Sequence, residues 1–311
     1  MIGAPAGRSA VPCAARPARR GSRHQHRLLV LGATLALLAV ILWARTLQVA
    51  PAARRCAGPW AKLQEGGARP RVAIVALSDV GRNVSKELWD PKGRSFEGVL
   101  EATRENKEGY ARRHGYRYFD ASFLLDTSRP PSWSKILAVQ YYLAEYDWVF
   151  WMDSDSVVTN PDIKLESILP AGERLDFIVT KDPAGYNAGM WFIRNSPWSH
   201  KFLRTWWGMS SFVRKAGDTK SGDNDALKHI LANMDETELE EHVGVAPQCT
   251  FNSYVFKSSV RNWIRHAMDP EEFECGLHQQ GDFIVHLAGM QDKLVHIRKF
   301  LNERPTGSKA P

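Results

Sequence analysis

Five apolar runs, RVAIVAL at 71–77, WVFWM at 148–152, DFIVT at 176–180, MWFI at 190–193 and DFIVH at 282–286, are each bounded by polar residues within seven positions. Runs this short are too brief for helices and rich in β-branched and aromatic residues, so they predict buried strands. Longer stretches with helical periodicity fall between and after them, over 97–114, 134–145, 199–214 and 223–233. Strands alternating with helices predict an α/β fold with a mostly parallel central sheet.

Charge separates the chain into two parts. The 311 residues carry 41 Lys and Arg against 34 Asp and Glu, a net of +7, which on a folded surface would suggest a polyanionic partner. However, residues 1–64 hold ten basic residues and no acid, which leaves 65–311 at −3. The folded part is therefore no phosphate-reading surface, and nucleic acid is excluded as its expected partner. Residues 28–44, LLVLGATLALLAVILWA, form seventeen uncharged positions, and six Arg precede them. At ~1.5 Å per residue such a helix nearly crosses a ~30 Å hydrocarbon core. The basic leader keeps the N-terminus in the cytosol. The pattern predicts a type II signal anchor with a cytosolic tail over 1–27, a span over 28–44 and an Ala-, Arg-, Pro- and Gly-rich stem over 45–70. A cleaved signal peptide, permitted by Ala50-Pro51-Ala52, and an Arg-rich transit peptide are the rival readings.

A lumenal domain fits the Asn83-Val84-Ser85 sequon and an oxidising setting for Cys56, Cys249 and Cys275. A Cys249–Cys275 disulfide is one expectation and two buried thiols the other. Cys56 is then free or pairs between subunits.

The chemical signal is the strand at 148–152, which ends in Asp153-Ser154-Asp155. Ligands of open α/β sheets bind at carboxyl ends of strands, and two carboxylates there suit a hard cation bridging to a diphosphate. A solvated turn with Asp155 as a cap is the plainer alternative. Two enzyme classes use such a motif. Haloacid-dehalogenase phosphatases match Asp153-Ser-Asp155-Ser-Val157, with Gly222-Asp223-Asn224-Asp225 like their late acidic motif, but they need the nucleophile on the first strand of the domain. Nucleotide-sugar transferases of the GT-A type place Asp-x-Asp after a nucleoside-binding half, and here 75 residues of α/β pattern, 72–146, precede Asp153.

Several ordered motifs extend that second reading over 72–297. Asn106, Lys107 and Tyr110 with His114-Gly115 resemble an N-K-x-x-Y and H-G stretch. Trp133 and Lys135 fit W-x-K, and Trp151 to Asp155 fits W-M-D-S-D. Asn187, Gly189, Phe192 to Asn195 and Trp198-Ser199 fit N-x-G-x-F-L-I-R-N-x-x-W-S. Asp223 to Leu227 fall on D-Q-x-A-L and His286 to Gly289 on H-x-x-G. The chain thus resembles glycosyltransferase family 34, the galactosyl-, mannosyl- and xyloglucan xylosyltransferases. It departs at Asn224, where the family usually has Gln, at Met290, where it often has Cys, and at Gln291, where some plant members carry a Lys that here stands two positions on, as Lys293.

The resemblance implies a GT-A catalytic domain over 71–302, followed by a flexible tail at 303–311. It implies a retaining, metal-dependent transfer of a hexosyl or pentosyl unit from a UDP- or GDP-linked sugar to a glycan or polysaccharide hydroxyl, and a lumenal Golgi location with possible assembly into a transferase complex. Asp153, Asp155 and His286 would hold Mn2+ or another divalent cation, Asp155 directly and Asp153 through water or as an acceptor from the ribose. Ala76, Leu77, Ser78, Asp153, Ser154, Asn187, Gly189, Gly289 and Lys293 would contact the donor. Asp223 and Asn224 would bind sugar hydroxyls and stabilise the oxocarbenium-like transition state. Against these stand plainer roles: a structural strand-end His286, a surface Lys293 and a helix-capping Asp223. Among the Trp residues, Trp133 and Trp151 are the nominees for lining the site. A non-catalytic scaffold subunit is the alternative from another class.

Overall fold

The computed structural model describes residue 56 and residues 69–79, 96–170, 175–215 and 222–303. The apolar run at 28–44, the Asn83 sequon and the tail beyond 303 lie outside the described residues. All described residues belong to the unit spanning 51–311. Among them no helix is long and apolar enough to cross a membrane.

The chain enters through β1 (Val72–Ala76), α1 (Val99–His114), β2 (Arg117–Asp120), α2 (Ser134–Leu143), β3 (Trp148–Met152) and a short β4 (Ser156–Val158). It continues through β5 (Phe177–Asp182), β6 (Gly185–Arg194), α3 (Pro197–Gly208), α4 (Gly222–Ala232), α5 (Glu236–His242), β7 (Val243–Ala246) and β8 (Ser253–Tyr254). Then come α6 (Val260–Met268), α7 (Pro270–Cys275), β9 (Ile284–His286) and α8 (Lys293–Asn302). Six strands form the main sheet in the order β2-β1-β3-β6-β5-β7. Only β6 opposes its neighbours. The sheet is mostly parallel, as expected, with one reversed strand: five strands share a direction, and a tight turn at Pro183-Ala184 sends β6 back beside β5 as a hairpin.

Alternation along the strands divides the core. Ala73, Val75, Val149, Trp151, Phe177, Val179, Trp191 and Ile193 face the packed sides of α2, α3 and α4 through Ile136, Val139, Phe202, Trp206 and Leu227. Val72, Ile74, Trp148, Phe150, Met152, Ile178 and Phe192 face the other way, against Tyr110 of α1 and Phe251, Phe283 and Ile284. Both faces of the central strands are thus covered, which is why WVFWM carries no polar residue. Phe150 stacks on Phe192 at 3.9 Å. Truncating such a buried ring costs about 3–5 kcal/mol.

A second, three-stranded sheet, β4-β9-β8, positions the site. Because β4 follows Asp155 directly and its Ser156 pairs with His286, pairing alone brings the late His to the early carboxylates. Residues of α1 hold that segment down. Asn106 both accepts from the Val158 N–H and donates to its carbonyl, at 2.8 and 2.9 Å. Tyr110 donates to the Ile163 carbonyl at 2.7 Å. Gly115 ends α1 at φ 70°, the left-handed conformation that glycine adopts without strain.

The disulfide joins Cys56 to Cys249. The expected Cys249–Cys275 bond and the free or intersubunit Cys56 are both corrected: the Cys275 sulfur lies 3.8 Å from that of Cys249, outside bonding distance, while Cys56 occupies it.

Candidate active site

The C-terminal end of β3 delivers Asp153 and Asp155, and β9 delivers His286. One side-chain ligand atom from each lies within 4.8 Å of the others. The two carboxylates are arranged alike. Asp153 Oδ1 accepts from Trp151 Nε1 at 2.8 Å and from Lys135 Nζ at 3.3 Å. Asp155 Oδ2 accepts from Lys293 Nζ at 2.7 Å. The remaining oxygens, Asp153 Oδ2 and Asp155 Oδ1, approach His286 Nε2 at 3.8 and 3.3 Å. Burial alone would raise the Asp155 pKa, but an imidazolium at His286, the form with an extra proton on Nε2, and the Lys293 ammonium outweigh it and hold the carboxyl well below the usual range.

The tautomer of His286 follows from its neighbours. The Gly189 N–H can only donate, and it donates to Asn187 Oδ1 at 2.8 Å. Asn187 Oδ1 also accepts from Asn252 Nδ2 at 3.1 Å, so Asn252 turns its own Oδ1 to His286 Nδ1, 2.8 Å away. Nδ1 therefore carries the proton, and the Nε2 lone pair faces two carboxylate oxygens. Three acceptors aimed at one point repel unless a cation or an extra proton sits among them. The donor set of two carboxylate oxygens and one imidazole nitrogen fits a divalent ion such as Mn2+, with Asn252 as the partner that orients the ring.

Gly189, on β6, borders the same point. A Cβ there would lie 2.4 Å from His286 Cε1, 2.9 Å from Asn187 Oδ1 and 3.1 Å from Asp153 Oδ2. Glycine is required by proximity. Gly289 differs: its Cβ would meet open space, and its φ of 69° is the reason for glycine. Asn187 lies one layer back, with its amide donating to Asp182 Oδ2 and the Tyr254 hydroxyl oxygen at 2.9 and 2.6 Å. The Ser154 contribution is its carbonyl, which accepts from Thr103 Oγ1 and Lys107 Nζ at 2.9 and 3.1 Å.

Lys135, on α2, links the metal-type cluster to α4. Its ammonium reaches Asp153 Oδ1 at 3.3 Å, Asp223 Oδ2 at 3.2 Å and the Ala188 carbonyl at 3.0 Å. Burial lowers the Lys135 pKa, yet Asp153 and Asp223 more than compensate and raise it. Asp223 is buried and accepts from Ser132 Oγ at 2.7 Å through its other oxygen, so its carboxylate is spent on α2 and its N-terminal turn rather than on capping α4. Asn224 beside it fastens α4 to β6 by accepting from the Ala188 N–H at 2.7 Å. At the end of β1, Ala76 and Leu77 are buried, and the Ser78 hydroxyl is buried without a hydrogen-bond partner among the described residues. Such an orphan suits a ligand's polar group.

The structure thus brings Asp153, Asp155, His286 and Gly189 together, sets Lys293 against Asp155 rather than on the surface, and joins Asp223 to Asp153 through Lys135. Trp151 touches the site through its indole N–H, whereas Trp133 is fully buried and presents no face. Three residues absent from the sequence-derived set emerge: Lys135, Asn252 and Lys107. Lys107 is buried and donates to the Asp153 and Ser154 carbonyls at 3.0 and 3.1 Å. Burial, opposed by Asp155 and Asp153, lowers its pKa to about 7. The W-x-K and N-K-x-x-Y motifs pointed at both lysines without giving them work, and Asn252 carried no signal. Next to the cluster a cleft opens between the β5–β6 turn and α6, lined by Asp182, Ala184, Tyr254, Lys257, Asn262 and Arg265. Tyr254 joins it to the cluster, with its ring edge-on to His286 at 5.5 Å.

An α/β sheet with a carboxylate–imidazole cluster at its strand ends and a neighbouring cleft has the layout of a ligand site in an open α/β sheet. A profile of the galactosyl transferase GMA12/MNN10 family matches residues 68–176 and 169–293, and the chain belongs to that glycosyltransferase family. Over 260 residues it is 26% identical to the probable alpha-1,6-mannosyltransferase MNN10 of Saccharomyces cerevisiae, covering 71% of this chain and 62% of that one. It is 23% identical over 255 residues to an alpha-1,2-galactosyltransferase of Schizosaccharomyces pombe, covering 70% and 61%. The match therefore spans less than two thirds of either relative. A solved glycosyltransferase involved in glycosylation of the major capsid of PBCV-1 is a loose likeness, 15% identical with a TM-score of 0.49, covering 75% of this chain and 99% of that one.

Proposed function

We propose that the protein is a metal-dependent, retaining glycosyltransferase of GT-A type that moves a sugar from a UDP- or GDP-linked donor to a glycan hydroxyl. On this reading it is held in the Golgi membrane by residues 28–44, with the catalytic domain lumenal. The observation that carries the reading is the convergence of Asp153 Oδ2, Asp155 Oδ1 and the His286 Nε2 lone pair, each opposite atom being tied to the protein.

Asp153, Asp155 and His286 hold the divalent cation, Mn2+ on this reading. When bound, it supplies Lewis-acid stabilisation of the charge that builds on the leaving diphosphate. Lys293 and Lys135 aim the two carboxylates through their ion pairs with Asp155 and Asp153. Ser78, with Ala76 and Leu77, borders the nucleoside, its orphan hydroxyl being offered to the donor. The Asn224 amide, with no acceptor among the described residues for its N–H groups, binds a hydroxyl of the sugar. Asp223 acts beside it, positioning Lys135 and placing negative charge near the developing oxocarbenium. The acceptor enters through the cleft at Tyr254, Lys257 and Arg265. The family assignment leaves no place for a phosphatase, and nothing observed favours a scaffold.

The test is incubation of the purified protein with a panel of UDP- and GDP-sugars and Mn2+. Transfer or hydrolysis of one donor, lost in Asp155→Ala, is expected. No turnover of any donor by the wild type, or undiminished turnover in the variant, overturns the reading.

A further inference from the structure

The helix α6 is docked the wrong way round for a water-facing element. Val260, Trp263, Ile264, Ala267 and Met268 follow the spacing of one helical face. On that face Val260 is 77% exposed, Trp263 55%, Ile264 54% and Met268 76%, and the neighbouring Phe256 is 41% exposed. The polar side is the one that packs inward. Asn262 donates to the Lys257 carbonyl at 2.8 Å, His266 meets Glu274 at 3.2 Å and the Phe273 ring at 5.5 Å, and Arg265 lines the cleft. A contiguous apolar stripe facing outward from a helix seated on its polar side marks a surface made for a partner.

The disulfide says which partner is at hand. Cys249, bonded to Cys56, lies 3.8 Å sulfur to sulfur from Cys275, the last residue of α7, and α7 packs against α6 through Phe273. Only residues 45–55 separate the apolar run from Cys56. Fully extended at ~3.5 Å per residue they reach about 40 Å, so the chain is stapled to the α6–α7 module within a short tether of the segment that enters the bilayer. A stripe of Val, Ile and Met with a Trp at its centre suits the boundary between headgroups and acyl chains.

We propose that α6 is an interfacial helix whose Val260, Trp263, Ile264 and Met268 face lies on the surface of the lipid bilayer that holds residues 28–44. This sets the acceptor cleft, whose wall α6 also forms, next to the membrane. The proposal rests on the anchor reading given above, and the experiment separates the two.

The full-length protein is reconstituted into phosphatidylcholine nanodiscs containing a phospholipid with an acyl-chain diazirine, irradiated and mapped by mass spectrometry. Carbonate extraction of the same protein from liposomes reports the anchor independently. Adducts on both 28–44 and 256–268 are expected, with at least a tenfold drop at 256–268 alone in Trp263→Asp/Ile264→Asp, whose unchanged melting temperature verifies folding. Should that variant unfold, depth-dependent quenching by brominated lipids in Trp263→Phe against wild type replaces it, with a loss of quenched signal expected. Adducts confined to 28–44 in the wild type, or a cross-link from 256–268 to a second copy, overturn the proposal while leaving the anchor intact. Complete extraction by carbonate without adducts on 28–44 overturns the anchor reading.

Discussion

Replacing Gly189 by alanine tests the site at its tightest point. The added Cβ would stand 2.4 Å from His286 Cε1, 2.9 Å from Asn187 Oδ1 and 3.1 Å from Asp153 Oδ2, where carbon contacts normally exceed 3.4 Å. The ring must withdraw by about 1 Å, because the backbone of β6 is held by β3 and β5 on both sides. Overpacking of this kind costs about 1–3 kcal/mol, or a fall of ~2–12 °C in melting temperature for a domain of this size. The effect on the cation is separate. Moving one of three ligands while loosening the Asn252 bond behind it should weaken Mn2+ binding by at least the ~10–100-fold typical of losing an orienting partner. Gly289→Ala is the control: it meets left-handed backbone strain of about 1 kcal/mol with no clash near the ligands. Calorimetric Mn2+ titration of both variants reads the difference. If Gly189→Ala binds Mn2+ as tightly as wild type, or if Gly289→Ala loses as much affinity, the argument from proximity is wrong.

Asn252→Ala should leave the His286 ring free to rotate and take either tautomer, weakening Mn2+ binding ~10–100-fold, read as a raised metal requirement for turnover. The Glu166 carboxyl is bonded by Tyr116 and Arg69. Burial raises its pKa, but those bonds outweigh burial and lower it from the usual 4.5. A depressed carboxylate pKa contributes stability that is present above pH 4.5 and lost as pH falls below it. Glu166→Gln should therefore lower stability by about 1 kcal/mol or less at neutral pH and flatten the decline below pH 4.5, as urea unfolding at a series of pH values would show. Peptide mapping without reductant should recover Cys56 linked to Cys249, and Cys56→Ser should lower stability by ~2–4 kcal/mol in thermal unfolding.

How much of this was legible in the sequence depended on whether the signal was local. All five apolar runs became strands, because a run of Val, Ile, Phe and Trp bounded by polar residues has few other folds. The direction of β6 was not legible: its first half, Gly185 to Ala188, is not strongly apolar, so the hairpin with β5 left no run to read. Asp153, Asp155 and His286 were grouped through the family motifs they fall in, and the fold brings one ligand atom of each within 4.8 Å of the others. The residues that hold the trio in place were missed for a physical reason. Lys107 sits in RENKEGYARRH, where charge density predicts a solvated helix face, yet the carbonyls it serves lie on a segment 46 residues away. Asn252 belongs to a loop, and only the fold reveals that its two ends face Asn187 and His286. The sequence left Cys249 and Cys275 either bonded to each other or as two thiols, because connectivity depends on where the stem returns to the domain.

The central claim is that Asp153, Asp155 and the Nε2 of His286 bind one divalent cation. Pulsed electron paramagnetic resonance of the purified protein titrated with Mn2+ tests it directly, because a bound imidazole nitrogen couples to the metal's unpaired electrons. One tightly bound Mn2+ per chain is expected, showing a single nitrogen coupling that vanishes in His286→Ala, with binding itself abolished in Asp155→Ala. A tightly bound ion without nitrogen coupling, or the same stoichiometry and affinity in both variants, would contradict the account.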